Sequence, residues 1–426
     1  MPLFSSTFLS FWSSQPRRDE SVPPHNERLP PELWGIVINF VVDEIRHPYR
    51  YCTPATFPQY QARFFLAGRL EKDSTLDDWK SVRLVCRTWK ELAGSQPHAK
   101  IRRQQLESTT GSLDEVSSII VNFTATTQAE MRNFLLPPAI SSTLTTIIFG
   151  PDYTQYGVDI LLDNPSAFRT VRCLSLPSAG FRRQFWQELQ DGYPQIVSLT
   201  IRNFVGNGRG RYTFENLEIL DVNAWGIFRL SCPSLKHFSC RYDCSEPVAE
   251  FLREHGHQLE SFFWDSYSVN PSEMWLKEGH SVNNSEMWIR APWASGKHVW
   301  KLFPNLQTLG LEVKMLFSSP PPEHPLRGLR ILSHYHSVTM GSVLQTIQSF
   351  PGVTHIHVRP SDLHPDTMDD LRARCAERSV DVVDVVSAKM APKPPVPIFV
   401  MRAAVVFTCP CWFPLFLCSH LHCGAD

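Results

Sequence analysis

The sequence predicts an α/β protein in which a small N-terminal helical domain precedes a solenoid with a parallel sheet. Three observations lead to this fold class. A short strand-like pattern of apolar residues recurs from about residue 116 onward, helix-like runs separate several of its copies, and an apolar helical region lies ahead of them all. No single copy can bury its own apolar face, so neighbouring copies are expected to stack side by side.

Three short helices are predicted between residues 29 and 95. Pro30 and Pro31 suit the entry of the first helix, where a missing N–H costs little. The second helix is expected to begin at Thr75, and the third ends at Gly94. Helices this apolar cannot bury all their side chains against one another, because small domains retain much exposed surface. The surplus apolar surface indicates a protein partner.

A stretch rich in Pro, Tyr, Phe and Arg interrupts this helical region near residues 46–73. We expect an inserted surface loop, since such insertions cost little loop-closure entropy. An alternative interpretation of the helices is that they only cap the domain that follows, as terminal repeats do in solenoids.

The repeated pattern has apolar residues at its first, fourth and sixth positions. Ten copies are predicted as strands: Leu144–Phe149, Val171–Leu176, Ile196–Ile201, Leu217–Val222, Leu235–Cys240, Leu259–Trp264, Leu306–Leu311, Leu329–His334, Val353–Val358 and Val380–Val385. The step from Val171 to Ile196 is 25 residues, and most other steps are similar, as in leucine-rich repeats. A doubly wound parallel sheet is the competing arrangement for alternating strands and helices.

Helix-like runs between the strands show apolar residues at helical spacing. The three sets are Val248, Phe251, Leu252 and His255; Val343, Leu344 and Ile347; and Met368, Leu371 and Cys375. On the strands, alternation places the variable side chains on the face opposite the core, where we expect an exposed surface that captures a target. Its candidate residues are Thr200, Asp221, His237, Phe263, Thr308, His355 and His357.

Two motifs in the N-terminal region together resemble the F-box. Leu29-Pro30-Pro31-Glu32-Leu33-Trp34 is followed, after an apolar helical run and the insertion, by Leu84-Val85-Cys86-Arg87-Thr88-Trp89. The chain as a whole is similar to the fungal, basidiomycete-type F-box-like family with degenerate leucine-rich repeats. This resemblance covers most of residues 29–390.

The resemblance implies a substrate-recognition subunit of a Skp–cullin–F-box ubiquitin ligase, and so a role in the ubiquitin conjugation pathway. A Skp-type adaptor, and through it a cullin, would bind the F-box, while the repeats would bind an unknown protein substrate. The residues implied in adaptor binding are Leu29, Pro30, Leu33, Trp34, Ile36, Val37, Leu84, Val85, Cys86 and Trp89. The alternative is a non-catalytic leucine-rich-repeat scaffold whose helices are only a structural cap.

No catalytic, cofactor or metal site is predicted, and the chain is not expected to be an enzyme. Aligning the repeats places His334 opposite Val358 on the core side, whereas His355 and His357 face the other way. A zinc site needs convergent ligands, so these imidazoles are not expected to share one. An α/β enzyme would require a ligand loop after one of the strands, and no such loop stands out.

Composition limits the partners and the compartment. The 426 residues carry a formal net charge of -1, which disfavours nucleic-acid binding through phosphate contacts. The 11 cysteines are scattered through apolar segments, which is typical of the reducing cytoplasm or nucleus.

Three further segments complete the expected domain organisation. Residues 1–28 are predicted as a disordered tail, 265–300 as an inserted loop containing a short tandem duplication, and 391–426 as a Pro-rich and then apolar, Cys-rich tail. Pro410, Pro414 and Arg402 in the last tail would break a membrane-spanning helix, so no membrane association is expected.

Overall fold

Twelve short strands form one parallel sheet in the computed structural model. The residues that the structure describes are 43, 47–61, 100–101, 118–121, 128–137, 141–149, 156–176, 184–204, 210–224, 229–240, 246–264, 297–312, 318–332, 340–358 and 365–385. The chain divides into two units, Met1–Ala388 and Lys389–Asp426, and all described residues belong to the first.

The structure describes fourteen short strands, and twelve of them form the large sheet. The strands are β1 (Lys100–Ile101), β2 (Ser118–Val121), β3 (Thr146–Phe149), β4 (Cys173–Leu176), β5 (Ser198–Phe204), β6 (Tyr212–Thr213), β7 (Ile219–Ala224), β8 (Leu230–Ser231), β9 (His237–Cys240), β10 (Ser261–Trp264), β11 (Thr308–Glu312), β12 (Gly328–Leu332), β13 (His355–Val358) and β14 (Asp381–Asp384). β6 and β8 pair only with each other, in a separate two-stranded parallel sheet.

The order of strands in the large sheet follows the order of the chain. It runs β1-β2-β3-β4-β5-β7-β9-β10-β11-β12-β13-β14 with every described pairing parallel. A doubly wound sheet would reverse direction at a switch point, and this order has none. The fold is therefore α/β with a large parallel sheet, compatible with a solenoid-like repeat, and the ten predicted strands are confirmed as members of it.

For β12, the sequence placed the repeated pattern three residues too far towards the C-terminus. Leu329 pairs with Ile356, which is the fourth position of the next repeat, so the pattern of β12 begins at Leu326 and not at Leu329. Leu326 and Ile331 are buried, as the first and sixth apolar positions require. The earlier alignment of His334 with Val358 was therefore wrong, and His334 lies outside the described residues.

The helices lie between strands. They are α1 (Gln128–Leu135), α2 (Tyr156–Asp163), α3 (Phe185–Gly192), α4 (Glu246–His255), α5 (Met340–Gln348) and α6 (Pro365–Ala376), with 3-10 turns at Pro48–Tyr51, Pro165–Phe168, Gly256–Gln258 and Lys297–Lys301. The predicted apolar faces are confirmed, because Phe251 and Leu252 of α4, Val343 of α5 and Leu371 of α6 are all buried.

The main core lies between these helices and one face of the sheet. Successive strands align their second residues in register, among them Leu199, Leu220, Phe238, Phe262 and Leu309, all fully buried. They join the buried helix residues in one cluster. Aromatic rings add contacts along this row, since Phe238 lies 5.7 Å from Phe262 between centroids.

In six successive repeats, from β4 to β11, the polar residue three positions before the strand donates a side-chain hydrogen bond to the repeat before it, and these bonds form a polar ladder. The side-chain donors and backbone carbonyl acceptors are Thr170 to Leu144 (2.7 Å), Gln195 to Arg169 (2.9 Å), Asn216 to Pro194 (3.0 Å), Ser234 to Glu215 (2.6 Å), Gln258 to Cys232 (2.7 Å) and Asn305 to His257 (2.8 Å). Thr, Gln, Asn and Ser can all donate, so the repeats look degenerate in sequence while this position keeps its role.

Candidate functional site: the polar face of the sheet

The face of the sheet opposite the main core carries mostly polar side chains, and we call it the polar face. It consists of the first and third residues of each strand, which alternate with the core positions. Its members from β3 to β13 are Thr146, Ile148, Cys173, Ser175, Ser198, Thr200, Ile219, Asp221, His237, Ser239, Ser261, Phe263, Thr308, Gly310, Gly328, Arg330, His355 and His357.

The polar face is buried, which corrects the expectation that it is exposed. Of the seven candidate target-binding residues, Thr200, Asp221, His237, Phe263, Thr308 and His357 are all buried, with exposures of 5% or less. Only His355 is of intermediate exposure. A buried polar face needs a covering layer that satisfies its hydrogen bonds.

Residues 47–61 supply part of that layer, and we call them the covering segment. Phe57, fully buried, is its central contact. Its ring lies 5.1 Å from the His237 ring in a stacked arrangement and 4.6 Å from the Phe263 ring. Phe57 therefore fills a slot between His237 of β9 and Phe263 of β10. The sequence had predicted that both of these side chains face solvent.

Tyr60 contacts the face two strands further towards β1. Its hydroxyl donates to Ser198 Oγ at 2.7 Å and lies 3.6 Å from Cys173 Sγ. Burial raises the pKa of the Cys173 thiol to about 11, although hydrogen bonds from Tyr60, Ser198 and Thr146 act in the opposite direction. Burial likewise raises the pKa of Tyr60 well above its usual value. The Tyr60 hydroxyl and the Cys173 thiol are therefore neutral at physiological pH, as expected for a contact buried away from water.

Gln61 is held at both ends of its amide. Its Nε2 donates to Ser239 Oγ, and its Oε1 accepts from the Arg330 guanidinium. Arg330 also donates to the Pro58 carbonyl at 3.4 Å, and its guanidinium lies 5.2 Å from the centre of the Phe263 ring. The buried charge of Arg330 is therefore surrounded by hydrogen-bond acceptors and an aromatic face.

The segment also touches the face through its backbone. Thr308 Oγ1 donates to the Pro54 carbonyl at 2.9 Å, and His237 forms a hydrogen bond with the Cys52 backbone. His237 Nδ1 lies 3.0 Å from Ser261 Oγ. Burial, with a smaller effect of Lys236, lowers the pKa of His237 to about 3, so its imidazole is neutral.

Local sequence explains why the segment turns as it does. Pro48 starts a 3-10 turn that ends at Tyr51. Thr53 and Thr56 then cap each other reciprocally, each backbone N–H donating to the other's hydroxyl at 2.9 and 3.2 Å, and residues 57–61 are helical. This reciprocal pair resembles a capping box, and Pro54 directly follows the first capping residue, in the turn that leads into the helix. The expected surface loop is thus a folded element at residues 47–61, and the Thr53-x-x-Thr56 spacing was the available signal.

The far end of the polar face carries two imidazoles with unsatisfied nitrogens. Among the described residues, neither ring nitrogen of the buried His357 has a hydrogen-bond partner, and Nε2 of His355 has none either. The two rings lie 5.1 Å apart and perpendicular. Burial, then His355 and Arg330, lower the pKa of His357 to about 3. Within the described ranges, His, Cys, Asp and Glu form no group of three or more that could hold a metal ion.

The other predicted site residues have no described position. All ten residues implied in adaptor binding, from Leu29 to Trp89, lie outside the described ranges, as do the tandem duplication and the tail from residue 391. Cys52, Cys173, Cys232, Cys240 and Cys375 are free thiols. No helix among the described residues is long and apolar enough to cross a membrane.

Comparisons with known proteins add little. The sequence matches no protein-family model, and no curated protein matches it. Among solved structures, the chain is similar to a protein from Bacteroides fragilis, with 11% identity over 71% of this chain and 78% of that one and a TM-score of 0.33. At this TM-score the likeness carries no argument.

Proposed function

We propose that this chain is the substrate-recognition subunit of a Skp–cullin–F-box ubiquitin ligase. The observation that carries the proposal is the pair of N-terminal motifs, Leu29-Pro30 with its apolar helical run and Leu84-Val85-Cys86-Arg87-Thr88-Trp89. The sheet adds support, because stacked repeats are a common way to present a large binding surface.

The mechanism would be proximity. The N-terminal helices would bind a Skp-type adaptor, and the repeat domain would hold a target protein in the same complex. Tethering raises the effective concentration of target lysines near the charged ubiquitin-conjugating enzyme, and the rate gain comes from that concentration. The chain itself would contribute no catalytic residue.

The proposed target-binding surface remains the polar face, with Thr200, His237, Phe263 and Thr308 among its residues. The buried state of these side chains means that a target would meet the covering segment first. Once uncovered, the polar face would offer a target aromatic, hydroxyl and guanidinium groups together.

The adaptor interaction can be tested by capture of a purified Skp-type adaptor on the immobilised full-length chain. Leu33→Ala and Trp89→Ala remove two of the residues implied in adaptor binding and should each weaken capture by about tenfold or more, because interface anchors typically contribute about 2 kcal/mol or more. Glu377→Ala, at an exposed position after α6, is the matched control and should bind as the wild type does. A folded wild-type chain that captures no adaptor contradicts the proposal.

A non-catalytic scaffold is the second candidate, and the covering segment favours it. Residues 47–61 interrupt the proposed F-box yet are built into the repeat domain through Phe57, Tyr60 and Gln61. This is what a structural cap would do. The same adaptor capture separates the two candidates, because a cap has no reason to bind a Skp-type protein.

A further inference from the structure

The covering segment contacts the polar face as a bound peptide would. Its anchoring contacts are made mainly by side chains, those of Phe57, Tyr60 and Gln61, on a surface formed by strands far away in sequence. Its described backbone pairs with no strand of the sheet. Contacts of this kind do not depend on the covalent link to the rest of the chain.

We propose that the polar face is a peptide-binding groove which residues 52–61 fill in cis, and that the target presents the same side chains in trans. The recognised element is a proline-led helical turn with an aromatic residue, a second aromatic residue three positions later, and an amide immediately after it. This inference rests on the proposed function, because it supplies the chemistry of the target.

The aromatic slot is shaped for one ring. Phe57 lies between His237 and Phe263, and Gly310 on the neighbouring strand leaves the space in which the Phe263 ring lies. A Cβ at Gly310 would lie 2.5 Å from Phe263 Cδ1, so any side chain there would displace this wall of the slot. The neutral state of His237 suits an apolar ring beside it.

The polar contacts select an amide. Ser239 accepts from the Gln61 Nε2, while Arg330 donates to its Oε1, so the groove offers an acceptor and a donor to the two ends of one group. An aliphatic side chain at this position would remove one hydrogen-bond acceptor from the buried Arg330 guanidinium, which is costly. Three positions earlier, Pro58 adds a carbonyl for the same guanidinium.

Because the covering segment is part of the same chain, a target peptide must compete with its high effective concentration. A short tether gives an effective concentration of about millimolar, and linking commonly changes apparent affinity by 10²–10⁴-fold. A peptide in trans should therefore bind the wild type far more weakly than a chain whose own segment is weakened. The covering segment then acts as an internal competitor for the target.

A synthetic peptide of residues 47–61 with a fluorescent label tests this directly. Fluorescence anisotropy would measure its binding to the full-length wild type and to full-length Phe57→Ala, which loses the central anchor of the covering segment. We expect binding to Phe57→Ala about 100-fold tighter than to the wild type. The same peptide carrying Phe57→Ala is the matched control and should bind neither protein.

Equal affinity for the two proteins, or no binding to either, would overturn the groove. A second variant covers the case in which Phe57→Ala does not fold: a full-length chain with residues 52–61 replaced by a Gly/Ser linker of equal length. The peptide in trans should raise its thermal midpoint or restore its cooperative unfolding, since a ligand stabilises the state that binds it. Absence of any such rise or restoration counts against the proposal.

Adaptor capture on the same proteins distinguishes failure of the groove proposal from failure of the proposed ligase function. Loss of peptide binding with normal capture would remove the groove and leave the ligase function standing. Peptide binding without adaptor capture would leave the groove but remove the ligase.

Discussion

Single glycines show how closely the polar face is packed. Gly310 lies in β11 next to Phe263, with room for hydrogen only. Gly341, by contrast, lies in α5 and is exposed, and no described residue lies within 4 Å of the place where a Cβ would be. The same residue type is thus required at one site and replaceable at the other.

Alanine at these two positions should therefore have opposite effects. Gly310→Ala forces Phe263 and Phe57 to shift and should lower the free energy of unfolding by about 1–3 kcal/mol. Gly341→Ala should raise it by about 0.5–1 kcal/mol, because Ala is the better helix former. Denaturant unfolding of both variants measures this difference. Equal effects of the two substitutions would mean that Phe263 does not occupy the space beside β11.

At the scale of elements, the covering segment behaves as part of the core and not as a loop. Tyr49, Phe57 and Tyr60 form a second apolar cluster with polar-face residues, among them Cys173 and Phe263. This cluster lies on the opposite side of the sheet from the helices. From β3 to β12 the sheet is therefore buried on both faces, as parallel sheets usually are.

The thiol of Cys173 reports whether the covering segment is docked. Tyr60→Ala removes the ring beside Cys173 and should increase its alkylation rate at neutral pH by roughly tenfold or more, since the thiol becomes accessible to the reagent. Mass spectrometry of alkylated peptides measures the rate for each cysteine separately.

Cys232 is the internal control for this experiment. It is buried in the main core, and burial raises its pKa, so Tyr60→Ala should leave its slow alkylation unchanged. Faster reaction at both cysteines would indicate general unfolding, and an unchanged Cys173 would show that Tyr60 does not shield it.

At the scale of the whole molecule, buried imidazoles couple folding to pH. His237 and His357 both have folded pKa values of about 3, lowered mainly by burial, against an ordinary value of 6.5. At about pH 8 and above they are neutral in both the folded and unfolded chains and add almost no pH dependence. Below it, the unfolded chain binds protons that the folded chain does not, so stability falls as the pH falls towards 3.

We expect the free energy of unfolding to fall by about 1.4 kcal/mol per pH unit for each of these imidazoles between about pH 6 and pH 5. His357→Phe should remove one such contribution and reduce the slope. It should also stabilise the protein at neutral pH by about 1 kcal/mol, because the buried ring nitrogens of His357 have no hydrogen-bond partner in the part of the chain that the structure describes.

The control for the pH experiment is His257→Gln, at an exposed position, which should leave the slope unchanged. Chemical denaturation of the three proteins at several pH values gives the slopes. A His357→Phe slope equal to that of the wild type would show that His357 is protonated alike in both states.

Much of the fold could be predicted because its signal is periodic. Apolar residues at the first, fourth and sixth positions are required wherever a strand packs against the main core, and this requirement is written into each repeat. The polar ladder shows the limit of such reasoning, because Thr170, Gln195 and Asn216 share a position and a role without sharing an identity. The β12 register was misjudged for a related reason, since Leu326 and Leu329 both begin acceptable patterns.

By itself, the sequence determined the strands, the helix faces and the division of each strand into core and polar positions, because local periodicity decides which side chains share a face. Only the tertiary structure decided that the polar positions are buried. The contact between residues 47–61 and strands 113 to 272 residues later leaves no periodic trace, since Phe57, Tyr60 and Gln61 each contact two strands through specific side-chain interactions.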